Sequence, residues 1–207
     1  PVALPVLLVV RALRPIVVVR FGSLFSKRIG HFTANTALYL CERAAGLHPR
    51  HSADVFYYMH PICNRQLRDM WNRTPGLLIF QPVSVLDRLN RLLPGGKPHI
   101  LPLPDDRDRL GLFDRFPPHL QFTEEELNQG SASLRALGVP EGTPFVCFHA
   151  RDSAYLGQLL RGSDVSYHSY RNSEVETYLP AIRDLVKRGY VGIRIGTVVN
   201  TTHGVEE

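Results

Sequence analysis

The chain has 207 residues, 44% of them hydrophobic and 21% charged, with a formal net charge of +5 at neutral pH. This suits one ordinary domain, or one domain and part of another, and excludes a disordered chain. The basic residues are mostly arginines scattered singly rather than gathered in runs, which argues against a nucleic-acid-binding tail.

Residues 2–10 form an apolar run, interrupted by Pro5 and stopped by Arg11. The run is shorter than the ~20 residues that cross a bilayer, and it lacks the basic start and cleavage site of a secretory signal. It reads as the remnant of a longer upstream helix. It reads equally as an amphipathic segment, with Arg11 and Arg14 at its edge, that touches the inner surface of a membrane. Residues 15–21 are β-branched and apolar, which predicts a buried strand. A turn-rich loop over 22–30 holds Lys27, Arg28 and Gly30. Helical spacing over 31–45, with Phe32, Leu38 and Cys41 apolar, stops at Gly46. A second strand is expected over 54–58, a short helix over 64–71, a third strand over 76–80, and a helix over 83–93 ended by Pro94-Gly95-Gly96. Such alternation marks an α/β fold, a parallel sheet covered by helices.

From 97 to 120 the periodicity dissolves into a long connection, of the kind that is often functional or interdomain. Thr123 to Glu126 is a capping box opening a helix that stops at Gly138. Residues 145–148 predict a strand. A second box, Ser173 to Glu176, opens a helix to Lys187 and Arg188, in which Pro180 either kinks the axis or delays the regular start; Gly189 is its stop. A strand over 190–195 completes one βαβ unit. The expected domains are 1–120 and 121–207, the second a linker helix and the first βαβ unit of an incomplete domain. Both ends look cut: Pro1 lies inside an apolar run, and 196–207 trail away after a strand. Cys41, Cys63 and Cys147 are odd in number and lack metal-ligand spacing, so they read as three small buried hydrophobes in a reducing cytoplasm, with no zinc site.

Two loops carry the chemistry. The first, after the 15–21 strand, holds Lys27, Arg28, Gly30 and His31 ahead of a helix whose free amides favour an anion. The second, after the 145–148 strand, holds His149, Arg151, Asp152 and Ser153, where an open parallel sheet presents its ligand edge. Arginine is the planar, bidentate partner of phosphate. Tyr167, Tyr170, Arg171 and Asn172 follow, and this mixture suits a surface contacting a base or a sugar. Arg194 ends another strand on the same edge. Blander roles compete: Arg28 as a solvated arginine, His31 as a structural helix-start residue, His149 bonded to nearby backbone, Tyr167 and Tyr170 as loop packing, Arg194 in a surface ion pair. No P-loop, dinucleotide or serine-hydrolase signature is present, so those classes lose their main support.

The segments Arg28 to Glu42, Phe148 to Leu156, Tyr167 to Ser173, Tyr178 to Ile182 and Arg188 to Gly196 resemble a family of bacterial glycosyltransferases associated with surface-polysaccharide gene clusters. The likeness spans about 10–196. It implies two facing Rossmann-like domains of GT-B architecture, with 1–120 on the acceptor side and 121–207 opening the donor domain. It also implies a nucleotide-sugar donor, a glycan acceptor and no metal or other cofactor. The His149-x-Arg151 pair is similar to a motif that some GT-B fucosyltransferases use on a donor diphosphate. The resemblance thus implies Arg151 on the diphosphate, His149 orienting or donating to it, and Tyr170, Arg171 and Asn172 shaping the donor pocket. His31 is the candidate general base, because imidazole titrates near neutral pH. A phosphohydrolase or nucleotide-sugar-modifying enzyme, and a non-catalytic binding module, remain the alternatives.

Overall fold

The structure is a computed structural model that describes residues 2–102, 107–150, 154 and 166–196, with backbone alone at 167 and 168. It divides into two units, Pro1–Phe122 and Thr123–Glu207.

The first unit runs α1 (Ala3–Ala12), β1 (Val18–Leu24), α2 (Ile29–Ala44), β2 (Ser52–Tyr58), α3 (Arg65–Arg73), β3 (Leu78–Ile79), α4 (Val83–Leu92) and α5 (Leu112–Arg115). β1 pairs parallel with β2, from Val18 opposite Ser52 to Leu24 opposite Tyr58, and β2 pairs parallel with β3. After α4 the chain returns to the far side of β1, where Phe21 and Ile100 form a parallel bridge. Leu101 donates its amide hydrogen to the Phe21 carbonyl, and His99 bonds the Val19 carbonyl through Nδ1 at 2.7 Å. The lateral order is therefore β3, β2, β1, Ile100, and the winding reverses at β1.

Strand alternation assigns the two faces. Val19, Phe21, Val55 and Tyr57 pack with Leu7 of α1 and Val83 of α4, while Leu24, Phe56 and Tyr58 pack with Phe32, Tyr39 and Leu40 of α2 and Leu67 and Trp71 of α3. Both faces of the parallel sheet are covered, as parallel sheets require.

Several expected boundaries move. Pro5 does not interrupt α1, because it falls in the first turn, where an amide hydrogen has no intrahelical acceptor; Arg11 lies inside the helix. β1 starts at Val18 because Ile16 and Val17 still donate to the Leu13 carbonyl as the helix unwinds. It runs on through Gly22 to Leu24, which is fully buried. A Cβ on Gly22 would stand 3.0 Å from the Phe56 ring and 3.1 Å from Leu101, so close approach of neighbours, rather than a turn, explains this glycine. The 97–120 segment contains a 3₁₀ turn at Lys97–His99, the Ile100 bridge and α5.

In the second unit, α6 (Glu124–Ala136) starts with the expected capping box: the Thr123 hydroxyl accepts from the Glu126 amide at 3.2 Å, and the Glu126 carboxylate accepts from the Thr123 amide at 2.8 Å. β4 (Phe145–Phe148) and β5 (Val191–Arg194) pair parallel, with α7 (Leu179–Lys187) between them in sequence. The second box does not form. Val175–Tyr178 is a 3₁₀ turn, the regular helix begins at Leu179, and the Tyr178 hydroxyl donates to Ser173 Oγ at 3.4 Å. A helix running unbroken from Ser173 would drive the Pro180 ring into the carbonyl four residues earlier; starting at Leu179 places it in the first turn, where it is tolerated. Gly138 and Gly189 end their helices at φ +81° and +85°, the left-handed conformation in which a Cβ is costly.

The cysteines depart from expectation. Cys41 is buried and Cys63 half-buried, but Cys147 is exposed, because β4 turns Phe145 and Cys147 to its open face. Among the described residues, no helix is long and apolar enough to cross a membrane.

Candidate functional site

In parallel sheets with crossover helices, ligands collect outside the carboxyl ends of strands at the point where the winding reverses. In the first unit that point is the end of β1. The loop leaving it is anchored at Ser26, which is fully buried: its hydroxyl donates to the Met59 carbonyl, and its own carbonyl accepts from the Cys63 amide at 2.8 Å. The Met59 amide donates to the Leu24 carbonyl at 3.1 Å, so the loops after β1 and β2 are stitched together.

From this anchor the chain passes through Lys27 to Arg28, the extended residue preceding α2, whose side chain makes no cap. No acidic residue lies in the first turn of α2, so the positive end of the helix is not neutralised from within. Arg28 and Gly30 are exposed, and nothing lies within 4 Å of where a Gly30 Cβ would stand. His31 is half-buried, its ring edge-on to Phe25 with centroids 4.9 Å apart. Arg28, Gly30 and His31 are thus brought together.

Asn35 joins them from the next turn, a residue that the sequence reading missed. It is 9% exposed, and its Oδ1 has no hydrogen-bond partner among the described residues. Helical side chains lean toward the helix N-terminus, so this amide leans over the turn carrying His31. An unfilled buried acceptor costs roughly 1–3 kcal/mol, which a bound hydroxyl or amide would relieve. Its spacings, four residues from His31 and seven from Arg28, were the available signal.

In the second unit, His149 follows β4 and is exposed, and Arg194 ends β5 in register with Phe148. The two therefore sit at the same carboxyl edge of the strand pair. Tyr170 and Arg171 close the 3₁₀ turn Ser166–Arg171, which includes Tyr167. Arg171 Nε donates to the Tyr170 hydroxyl at 2.7 Å, and its guanidinium lies 5.1 Å from the ring centroid, so hydrogen bond and cation–π contact hold them as a pair. Asn172 is exposed and donates its amide hydrogen to the Ser169 carbonyl. Arg151, Asp152 and Ser153 lie outside the described residues.

The strongest polar cluster occupies the opposite end of the first unit's sheet. Arg20 of β1 grips Asp54 of β2 through Nε and Nη2 at 2.6 and 2.7 Å, and the Tyr39 hydroxyl donates to the same carboxylate at 2.7 Å. Arg43 stands 3.6 Å away. Burial would raise the Asp54 carboxyl, but the bonds from Arg20 and Tyr39 and the charges of Arg20 and Arg43 outweigh it and hold the group below the ordinary carboxylate range. Burial and the bond to Asp54 push the Tyr39 hydroxyl well up. His48 Nδ1 lies 3.1 Å from Arg20 Nη2 and Nε2 lies 2.9 Å from Glu42. Guanidinium can only donate, so Nδ1 accepts and Nε2 donates. Arg20 faces Asp54 in the ladder, and the cluster locks that register.

An open concavity of about 360 Å³ is lined by Leu38, Glu42, Leu112 and residues 107–110. Its acids are engaged: Glu42 bonds His48, and Asp108 accepts from the Phe113 amide at 2.7 Å, which with the Leu112 amide holds its carboxyl low. Among the described residues, no group of three or more His, Cys, Asp or Glu could hold a metal ion. Comparison with protein-family models, curated proteins and solved structures finds no match to this chain.

Proposed function

We propose that the chain belongs to a glycosyltransferase that moves a sugar from a nucleotide-sugar donor to a glycan acceptor in surface-polysaccharide synthesis, built on Rossmann-like units of GT-B type. The observation that carries this reading is the reversal of winding at β1, which sets the uncapped N-terminus of α2 beside Lys27 and Arg28, an arrangement suited to a phosphorylated ligand. In the transfer, an acceptor hydroxyl oxygen bonds to the anomeric carbon as its bond to the donor diphosphate breaks. The negative charge left on the diphosphate is stabilised by arginine and backbone amides already in place. Arg151 and His149 serve the diphosphate, Tyr170, Arg171 and Asn172 shape the donor pocket, and Asp152, Ser153 and Arg194 line it. Arg28 and Gly30 face the acceptor or the phosphates, and His31 takes the hydroxyl proton. No metal enters this scheme.

The test is calorimetric binding of UDP, GDP, CMP and dTDP to the complete reading frame, with Arg151→Ala and Arg28→Ala alongside. One nucleotide should bind, and loss of a charged hydrogen bond should weaken it by about 1.5–3 kcal/mol. No binding of any nucleotide to the folded protein removes the donor site. Release of free sugar or phosphate without an acceptor points instead to a phosphohydrolase. Turnover left intact in His31→Ala removes the base assignment.

A further inference from the structure

Apart from Arg11, α1 is built of apolar residues. At 100° per residue, Leu7 and Val10 face the sheet, Leu8 and Val9 point away from it, and Val2, Leu4, Val6 and Leu13 lie on the flanks; Val2 is 72% and Val9 60% exposed. α4 lies beside α1 on the same sheet face, and Arg11 ties the two by donating to the Pro94 carbonyl at 2.7 Å and to Asn90 Oδ1 at 2.9 Å. The outward residues of α4 are Val85, Arg88 and Leu92, the last 80% exposed. Arg14, Arg91 and Lys97 are exposed around these apolar residues. The single acid in either helix is Asp87, which is buried and bonded to Arg91 and Tyr57.

We infer that this α1–α4 face lies on an anionic membrane surface, its apolar side chains entering the headgroup boundary and its arginines meeting lipid phosphates. An exposed apolar helix face fringed only by cations has the chemistry of an interfacial element. A second copy is the poorer occupant, since a two-fold contact places the same patch against itself and would set two fringes of like positive charge together. The attachment is independent of the glycosyltransferase reading.

Flotation of the 207-residue chain with vesicles of phosphatidylcholine alone, and of phosphatidylcholine mixed with phosphatidylglycerol, tests it. Binding is expected to the mixed vesicles only and to weaken with salt. It should fall roughly tenfold or more in Val9→Asp and in the double variant Arg14→Glu/Arg88→Glu. All three side chains are exposed, and an unchanged thermal melt confirms that the fold persists. Absence of binding to either vesicle overturns the proposal, as does binding that neither variant weakens. A concentration-dependent dimer that Val9→Asp dissolves also overturns it, assigning the face to a second copy.

Discussion

In the first unit Phe21, Phe32, Phe56 and Trp71 are each at most 1% exposed, whereas in the second Phe145 of β4 remains 44% exposed and no residue of α6 is more than half-buried. Both units contain parallel strands and crossover helices of similar apolar periodicity. They differ in cover. β1 and β2 have α1 and α4 on one face and α2 and α3 on the other, while among the described residues of the second unit Ile182 of α7 packs against β5 at Gly192. Burial of a parallel strand is therefore a property of the layers around it, which the strand's own residues do not reveal.

Removing a central ring should separate the units most clearly. Phe56→Ala is expected to cost about 3–5 kcal/mol, read as a lower urea midpoint by fluorescence of Trp71, the chain's single tryptophan, which reports the first unit. Ile182→Ala should leave that transition in place and raise hydrogen exchange in β4, β5 and α7. A midpoint that Ile182→Ala lowers as far as Phe56→Ala would end the distinction. The buried pair comes next: Arg20→Ala strands the Asp54 carboxylate and should cost about 3 kcal/mol, while Arg20→Met with Asp54→Leu should recover most of it, as measured by the same midpoint. Acid should act on the first unit through Asp54. Its folded pKa lies below the ordinary value of about 3.9, so its stabilising effect is complete above that pH and is lost as pH falls through the lower folded value. Urea midpoints across the acid range should therefore drop in the parent and flatten in Asp54→Asn. The smallest effect belongs to the second unit: Thr123→Ala removes one half of the capping box and should cost about 1 kcal/mol, seen as faster amide exchange over 124–127 with the Trp71 transition unmoved.

Much of the local structure was legible along the chain. α2 announces itself through helical spacing from His31 and the glycine after it, and the Thr123 box marks the start of α6 because two side chains meet two free amides within four residues. Cys147 was misjudged because alternation tells which residues share a face but not whether anything covers that face. Ile100 was lost in an aperiodic stretch, since one bridging residue has no period. Arg28, Gly30 and His31 stood out as a cation, a glycine and an imidazole at a helix start, whereas Asn35 became visible only once the packing of α2 left its Oδ1 without a partner among the described residues.

The amino-acid pattern by itself determined the kind and order of elements, because turns, caps and apolar spacing act over a few neighbouring residues. Only the tertiary structure decided that the chain crosses β1 to reach Ile100, that Arg20 and Asp54 neutralise one another across a strand ladder, and that α1 keeps its outer face uncovered. Each of these depends on residues far apart in sequence meeting or failing to meet, and the free energy of such contacts is set by burial and desolvation that no local stretch of chain contains.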